Sequence, residues 1–314
     1  MATSNPSALL RKKRSGLSSE HRNWILAWCL VAPTLILVFA VVAYPTAYAI
    51  WMSFHKFIIG QLDRPYVGFA NYIAVIGKPF FWESFLRSVN YVAVAIPLKF
   101  LFGLITALVL NEKFRGRGWL RALVLIPWAL PPLTSVMTWK FIFHDTTAVL
   151  STFLMYINII ERPISFLGLP QYAMNSAIVV NVWRGFPFFA ITLLAGLSPI
   201  PDELYDAAKV DGANAIQRFF AVTLPSVWPV ALVSLILSTI WTLNEFPSIY
   251  LLTEGGPFRS TMTLALSGYF TAFVHGSRQM SQAVIYSLGL VPLMVGLIAF
   301  LARAMAKREE QGLA

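Results

Sequence analysis

The sequence predicts an all-α, polytopic membrane protein with six transmembrane helices. Of its 314 residues, 57% are hydrophobic and only 12% are charged, and the mean hydropathy is +0.67. A soluble domain of this size carries about 25% charged residues, roughly twice this share. The chain also contains six apolar runs that reach the ~20 residues needed to cross a bilayer. Its formal charge of +10 comes mainly from basic residues between these runs, so it indicates membrane orientation rather than nucleic-acid binding.

The predicted spans are the most hydrophobic stretches of the chain: residues 25–53, 88–110, 119–143, 173–198, 227–252 and 282–304. The first run is about twice as long as the ~7–15 apolar residues of a cleavable signal peptide, so we expect it to be retained as a transmembrane helix. The apolar stretch 149–160 is too short to span and predicts an interfacial or re-entrant helix. A count of seven transmembrane helices is the alternative.

The distribution of Lys and Arg predicts the orientation of the chain, because these residues favour the cytoplasmic side of a membrane. With the N-terminus inside, 14 of the 24 lie on the inner side, 8 lie on the outer side, and two lie within spans. Both termini are therefore predicted to be cytoplasmic. The predicted organisation is an N-terminal tail (1–23), a transmembrane domain (24–305) with a cytoplasmic loop at 199–226, and a C-terminal tail (306–314).

Prolines interrupt three of the predicted spans. They are Pro127, Pro131 and Pro132 in the third span, Pro187 in the fourth and Pro247 in the fifth. Proline removes a backbone donor and kinks or breaks a helix, and a membrane tolerates this only where neighbours or a cavity satisfy the freed groups. The prolines therefore predict either ordinary kinks that serve packing or broken helices that line a substrate cavity.

The segment "YDAAKVDGANAIQRFFAVTLP", residues 205–225, is polar where its surroundings are apolar. Acidic residues follow Pro201 in the first turn of a predicted helix, and Gly212 interrupts that helix. The rest predicts a second short helix before Pro225. Small residues on the first helix permit close approach, which favours a docking element for another protein. The alternative is an amphipathic helix on the inner leaflet, but four acids against two bases oppose binding to anionic lipid.

The same loop resembles a known cytoplasmic signature. Its pattern of Ala207–Ala208, Gly212, Val222 and Leu224–Pro225 resembles the EAA loop of permease subunits in binding-protein-dependent ABC importers. The leading Glu of that signature is Asp206 here. Further stretches are similar to the maltose and glycerol-3-phosphate permease branch of the family: "YVGFANY", "NVWRGFPFFAITLLAGLSPIPDELYDAA" and "IYLLTEGGP".

The resemblance implies a type I ABC importer permease core (MetI-like) in the cell inner membrane, importing a sugar or a sugar derivative. It implies four partners besides the solute, namely a second permease subunit, two ATPase subunits and an external solute-binding protein. It also implies that the loop is a coupling loop that docks on the ATPase. The candidate docking residues are Asp206, Ala207, Ala208, Asp211, Gly212, Ala213, Leu224 and Pro225.

The chain carries no phosphate-binding motif of the form G-x-x-x-x-G-K-[ST], since Gly77–Lys78 is followed by Pro79. ATP and Mg²⁺ are therefore expected on the partner ATPase, and no cofactor is expected in this chain. The histidines are scattered without metal-ligand spacing, and no nucleophile or acid–base set is visible. We expect no catalytic and no metal-binding residues, so the chain is not expected to be an enzyme.

Three charged residues lie within the predicted spans: Lys99, Arg184 and Glu245. Charges inside a membrane are costly and mark either internal pairs or a functional pathway. Glu245 is the only acid in these spans, so it predicts either an ion pair with Arg184 or Lys99 or a lining for a polar solute. Amides and indoles nearby suit a sugar ring. The candidate substrate path consists of Lys99, Asn181, Trp183, Arg184, Trp241, Asn244 and Glu245.

An ion-coupled secondary transporter is the alternative function, because it would also use broken helices and a buried acid. The loop around Gly212 discriminates between the two, since a carrier that needs no ATPase has no use for a docking loop. The sequence therefore favours the ATP-driven importer.

Overall fold

The computed structural model describes residues 19–274 and 278–310, and these residues form helices joined by loops. The helices are α1 (Ser19–Val38), α2 (Tyr44–Ser53), α3 (Ala70–Ile76), α4 (Pro79–Asn111), α5 (Arg117–Ala129), α6 (Pro132–Phe143), α7 (Val149–Tyr156), α8 (Pro170–Leu197), α9 (Asp202–Val210), α10 (Ala215–Arg218), α11 (Leu224–Leu243), α12 (Pro247–Thr253), α13 (Leu264–Tyr269), α14 (Met280–Leu288) and α15 (Val291–Glu310). π-Helical turns extend α1, α10 and α13, at Phe39–Ala43, Phe219–Thr223 and Phe270–Val274. Most of the predicted N-terminal tail and residues 311–314 of the C-terminal tail lie outside the described residues.

The chain divides into two compact units between Met52 and Ser53. The first unit contains α1 and α2, which a π-helical turn joins into the candidate span Asn23–Ser53. This span is apolar around its whole circumference rather than along one stripe, which is typical of a helix in lipid. The second unit contains α3 to α15 and every predicted site residue.

The described residues contain five uninterrupted candidate spans, and a sixth if α5 and α6 together cross once. After the first span, the uninterrupted ones are Pro79–Asn111, Pro170–Leu197, Ala215–Leu243 and Met280–Phe300. The helices α5 and α6 meet at an angle of 90°. Their junction lies at Leu130 and Pro131, whose backbones are not helical.

The relative direction of α4 and α8 shows that α5 and α6 form one crossing. The side chain of Lys99 passes over Gly185, and Gly103 meets Phe189 one turn further along both helices, so α4 and α8 run parallel. Two parallel spans require one return crossing between them. The intervening α7 has 8 residues and is too short to span. The pair α5–α6 is therefore the third span, and the prediction of six spans, rather than seven, is confirmed for the described residues.

The prolines act differently in the three spans that contain them. The third span breaks at Leu130 and Pro131, directly before Pro132. The fifth breaks at residues 244–246, directly before Pro247. At Pro187 the helix does not break, because α8 continues through it. Pro187 therefore fits the alternative of a proline that serves helix packing. Prolines interrupt two of the predicted spans rather than three.

The fifth span begins earlier than predicted. A separate short helix was expected to end before Pro225, with the span starting at 227. Instead α10, the π-helical turn and α11 form one run, Ala215–Leu243. Pro225 lies in the first turn of α11, immediately after the π-helical turn, where a proline is tolerated. The expectation of a separate helix was therefore wrong.

Two apolar clusters fill much of the second unit and leave a gap between them. On α4, the buried members of the first cluster end at Ala95 and those of the second begin at Leu104. The corresponding gap on α8 runs from Val182 to Phe189. Charged side chains occupy both gaps at the same level as the break in the fifth span.

Candidate functional site

The loop of residues 199–226, which we call the coupling loop after the role that the resemblance implies, is built around α9. Asp202 and Glu203 lie in the first turn of this helix and Lys209 lies in the last, so their charges complement the helix dipole. Lys209 also pairs with Asp206, with 2.7 Å between Nζ and Oδ1. Both side chains of this pair are more than half exposed, so the pair adds little stability. Most of the surface of α9 is therefore free to contact another molecule.

A Schellman turn at Gly212 ends α9. The amide of Ala213 donates to the carbonyl oxygen of Ala208 at 2.9 Å, and the amide of Gly212 donates to that of Lys209 at 3.0 Å. Gly212 has a φ of +79°, in the left-handed region that favours glycine. The interruption predicted at Gly212 is thus a defined turn that sets the direction of the chain after α9.

A capping box restarts the helix directly after this turn. The amide of Gln217 donates to Oδ1 of Asn214 at 2.9 Å, and the amide of Asn214 donates to Oε1 of Gln217 at 2.8 Å. This pair was not predicted, although a polar N-cap residue followed by Gln three positions later is its signature. The two caps together fix the backbone on both sides of Gly212.

The predicted docking residues occupy two places in the loop. Six lie around the end of α9, namely Asp206, Ala207, Ala208, Asp211, Gly212 and Ala213. All of these are exposed except Ala208 and Ala213, which are half-buried. The other two, Leu224 and Pro225, are half-buried in the first turn of α11. The structure thus separates an exposed group on the loop from a pair that begins a span.

Large apolar side chains project from the loop on both sides of Gly212. Val210 is 88% exposed, Ile216 is 70% exposed and Phe220 is 61% exposed. Exposed apolar side chains rimmed by polar residues are typical of protein-interaction sites. The loop is also tied to the fifth span, because the hydroxyl groups of Tyr205 and Thr223 are hydrogen-bonded at 3.1 Å.

The second candidate site is a polar layer, which we define as Lys99, Arg184, Thr242, Glu245 and Ser248. Nζ of Lys99 donates to Oγ1 of Thr242 at 2.9 Å, and Nη1 of Arg184 donates to Oγ of Ser248 at 3.1 Å. These two bonds lie on opposite sides of the break in the fifth span. The polar layer therefore joins α11 to α4 and α12 to α8.

Glu245 caps the second half of the broken span. Its Oε1 accepts a hydrogen bond from the amide of Ser248 at 3.0 Å. Within the described residues, no Lys or Arg nitrogen lies within 4.0 Å of the Glu245 carboxylate. The ion pair considered with Arg184 or Lys99 is therefore not formed. The carboxylate instead satisfies a backbone donor at the start of α12, where a negative charge is favoured.

Three buried polar atoms close to this level have no hydrogen-bond partner among the described residues: Tyr91 Oη, Asn181 Oδ1 and Arg184 Nε. Tyr91 was not predicted as a site residue, and it is a fully buried member of the first apolar cluster on α4. Buried polar groups are normally hydrogen-bonded. These atoms therefore give the polar layer unused capacity to bind a polar molecule.

The remaining predicted path residues adjoin the polar layer in sequence, but their side chains make other contacts. Trp183 packs edge-on against Trp139 of α6, with ring centroids 5.6 Å apart. Trp241 packs against Phe188 at 5.0 Å and is half exposed. Asn244 is exposed, and its Nδ2 donates to the carbonyl oxygen of residue 240 at 2.9 Å. The structure thus places Lys99, Asn181, Arg184 and Glu245 close to one level of the fold. The side chains of the other three contact residues outside the polar layer.

Comparison with known proteins identifies the family. Residues 99–308 match the family described as binding-protein-dependent transport system inner membrane component. The chain is 37% identical over 250 residues to the trehalose/maltose transport system permease protein MalF of Thermococcus litoralis, covering 80% of this chain and 84% of that protein. It is 36% identical over 243 residues to the sulfoquinovosyl glycerol transport system permease protein SmoG of Agrobacterium fabrum, covering 77% of this chain and 78% of that protein.

A solved structure shares the fold. It is a chain of a bacterial ABC transporter involved in the import of the acidic polysaccharide alginate, with a TM-score of 0.76 and 21% identity. The match covers 92% of this chain and 96% of that chain, and it confirms the predicted type I ABC importer permease fold. The family match spans the coupling loop and the polar layer alike. The chain therefore belongs to the inner membrane components of binding-protein-dependent transport systems.

Proposed function

We propose that this chain is the permease subunit of an ATP-driven ABC importer that carries a sugar or a sugar derivative. Relatives named for trehalose and maltose and for sulfoquinovosyl glycerol support a carbohydrate-derived solute. Membership of a binding-protein-dependent family argues against the ion-coupled secondary transporter that the sequence left open.

The proposed transporter contains a second permease subunit, two ATPase subunits and an external solute-binding protein besides this chain. ATP and Mg²⁺ bind to the ATPase subunits, which agrees with the lack of a phosphate-binding motif in this sequence. This chain then has no catalytic residues, no metal site and no cofactor. The excess of Lys and Arg in alternate loops supports a multi-pass orientation in the cell inner membrane with both termini in the cytoplasm.

The observation that carries this proposal is the rigid, exposed turn at Gly212. Caps on both sides hold the turn, and Val210, Ile216 and Phe220 are exposed around it. A partner surface that covers these side chains removes apolar area from water, which favours association. The partner that such an importer requires on its cytoplasmic side is the ATPase, so the loop is the docking element for that subunit.

The proposed solute path passes the polar layer. The unused hydrogen-bonding atoms of Asn181 and Arg184 support this proposal, because a sugar offers many hydroxyl groups. The exposed face of Trp241 and the exposed amide of Asn244 extend a polar and aromatic surface along the fifth span.

A pull-down from the native membrane tests the proposal. The chain carries a C-terminal tag, and the recovered subunits are identified by mass spectrometry. We expect wild-type protein to recover an ATPase subunit and a second permease subunit. Gly212→Leu should insert into the membrane normally, recover at least about ten-fold less ATPase and lose uptake, because a side chain at this φ strains the turn.

The matched control is Gly60→Leu. Gly60 also has a left-handed φ, +93°, and like Gly212 it has open space where a side chain would begin. This variant carries the same backbone strain in a different loop, so it should recover the ATPase as the wild type does. Equal recovery of the ATPase subunit by both variants would contradict the docking role of the loop. Transport by the isolated chain without ATP would instead support the ion-coupled secondary transporter.

A further inference from the structure

A cavity of about 940 Å³ lies between the coupling loop and the loop that joins α4 to α5. Its walls come from the end of α4, the start of α5, the end of α8, the inner side of α9 and the helical run that leads into α11. This volume lies within the range of about 300–1,000 Å³ that is usual for small-molecule sites. The cavity is distinct from the polar layer, and of the residues proposed to dock on the ATPase only Asp206 lines it.

The charge of this cavity is mainly positive. Its lining includes five cationic side chains, Lys113, Arg117, Arg121, Lys209 and Arg218, and three carboxylates, Glu112, Asp202 and Asp206. Two of the carboxylates are already engaged, because Asp202 lies 3.6 Å from Lys113 and Asp206 lies 2.7 Å from Lys209. The three arginines therefore face one remaining acid, Glu112. An anion is the ligand that this balance favours.

Two of the arginines are held in place and keep unused donors. Nη2 of Arg121 donates to the carbonyl oxygen of Leu110 at 3.3 Å, while its buried Nε has no partner among the described residues. Nη1 of Arg218 donates to the carbonyl oxygen of Ala213 at 3.3 Å. A guanidinium has five N–H donors in a planar fork that matches phosphate oxygens. Each arginine thus keeps N–H groups for a ligand in the cavity.

The start of α5 adds to the same preference. This 13-residue helix begins at Arg117, and no side chain caps its first turn. Its first amide groups are therefore unpaired within the helix, and the positive end of the helix dipole lies at the cavity wall. Together with the arginine cluster, this arrangement suits a phosphate group.

We propose that this cavity binds the phosphate group of an anionic ligand, which bridges the α4–α5 loop and the coupling loop, and that an anionic phospholipid is its source. The lipid is favoured by the outer surface of α5, where Trp119 is 81% exposed and Leu123 is 58% exposed. An exposed indole beside arginines is typical of headgroup depth in a membrane. The helix α9 contributes acids to this site, so the binding charge comes from the α4–α5 loop and Arg218 rather than from α9.

The test measures binding of phosphatidylglycerol to the purified full-length chain by native mass spectrometry, with phosphatidylcholine as the neutral reference. Wild-type protein should retain phosphatidylglycerol in preference to phosphatidylcholine. Arg121→Gln and Arg117→Gln should each weaken retention about ten-fold, the effect of losing one charge-assisted hydrogen bond. Arg115→Gln is the matched control, because Arg115 belongs to the same loop but does not line the cavity. If Arg121→Gln fails to fold, Arg117→Gln still tests the contribution of the cavity to lipid binding.

Two further arms distinguish the sources of the phosphate group. Inorganic phosphate added in detergent should not displace phosphatidylglycerol. If it does, and the effect depends on Arg121, the ligand is a soluble phosphate compound and the lipid assignment is overturned. Bound phosphatidylglycerol should also slow hydrogen exchange of the α10 amides next to Arg218 and leave those of α7 unchanged. Equal retention by wild type and both cavity variants, or equal loss in Arg115→Gln, would overturn the site itself.

Discussion

The coupling loop and the helix pair α4–α8 acquire their geometry in opposite ways. In the loop, the decisive bonds join close neighbours in sequence, such as Ala213 to Ala208 and Gln217 to Asn214. In the helix pair, Gly103 meets Phe189 and the side chain of Lys99 passes over Gly185, and each contact joins residues 86 positions apart. The loop is therefore specified locally, while the pair exists only in the folded chain. Substitutions in the pair should change folding, and substitutions in the loop should change partner binding.

The largest expected effect comes from Gly103→Val, which breaks the helix pair. A Cβ atom at this position would overlap Cβ of Phe189 and lie 3.0 Å from the backbone nitrogen of Ala190, so the helices must separate. We expect a loss of stability of at least about 3 kcal/mol, the upper part of the range for overpacked cores. The measurement is the yield of monodisperse protein by fluorescence-detected size exclusion.

The control for this substitution is Gly118→Val. Gly118 is also helical, but no atom outside its own helical turn lies within 4 Å of a Cβ built there. Gly118→Val therefore changes helix propensity as Gly103→Val does, but it causes no steric clash. We expect it to give a yield close to that of the wild type. Equal yields for the two variants would contradict the close contact between α4 and α8.

An intermediate effect is expected at Glu245, where a local cap lies inside the long-range polar layer. Glu245→Gln keeps an oxygen that can accept from the amide of Ser248, so folded yield should be unchanged while uptake changes. Glu245→Ala removes the acceptor and should cost about 1 kcal/mol, as for other lost helix caps. Thermal unfolding in detergent measures both. A large loss of folded protein in Glu245→Gln would show that the negative charge itself is structural.

The smallest effect on the folded protein is expected for Asn214→Ala, which removes the capping box of the loop. The loss of about 1 kcal/mol should be local, so amides of residues 214–218 should exchange about five-fold faster while global yield is unchanged. The matched control is Asn175→Ala, an exposed Asn whose Nδ2 donates within α8 and caps nothing. Unaltered exchange in Asn214→Ala would show that a contact other than the cap holds the turn.

The same contrast explains which features could be predicted from sequence. Long apolar runs predicted six spans, and the left-handed turn at Gly212 was visible as an interruption in a helical pattern. The break before Pro247 was also visible, because a proline in the interior of a helix removes a backbone hydrogen bond. Pro225 was misread as the end of a helix, since the sequence does not show that a π-helical turn precedes it.

The partners within the polar layer could not be predicted. The sequence did not mark Thr242 and Ser248 as partners of the charged residues, because hydroxyl side chains in a span commonly bond their own preceding turn. Thr242 does this too, and it also accepts from Lys99. Glu245 was recognised as important, but its role as a cap depends on the position of the break. Only tertiary contacts decide between a cap and an ion pair.

The missing side chain at Gly103 has a mechanical consequence. Because the side chain of Phe189 packs directly against the backbone of Gly103, this contact resists sliding of α4 along α8. The two helices therefore behave as one rigid unit. The helix α4 has 33 residues and is about 50 Å long at 1.5 Å per residue. The hydrocarbon core of a bilayer is about 30 Å thick. If α4 and α8 move as one unit, a displacement at their ends beside the coupling loop would extend across the whole thickness of the membrane.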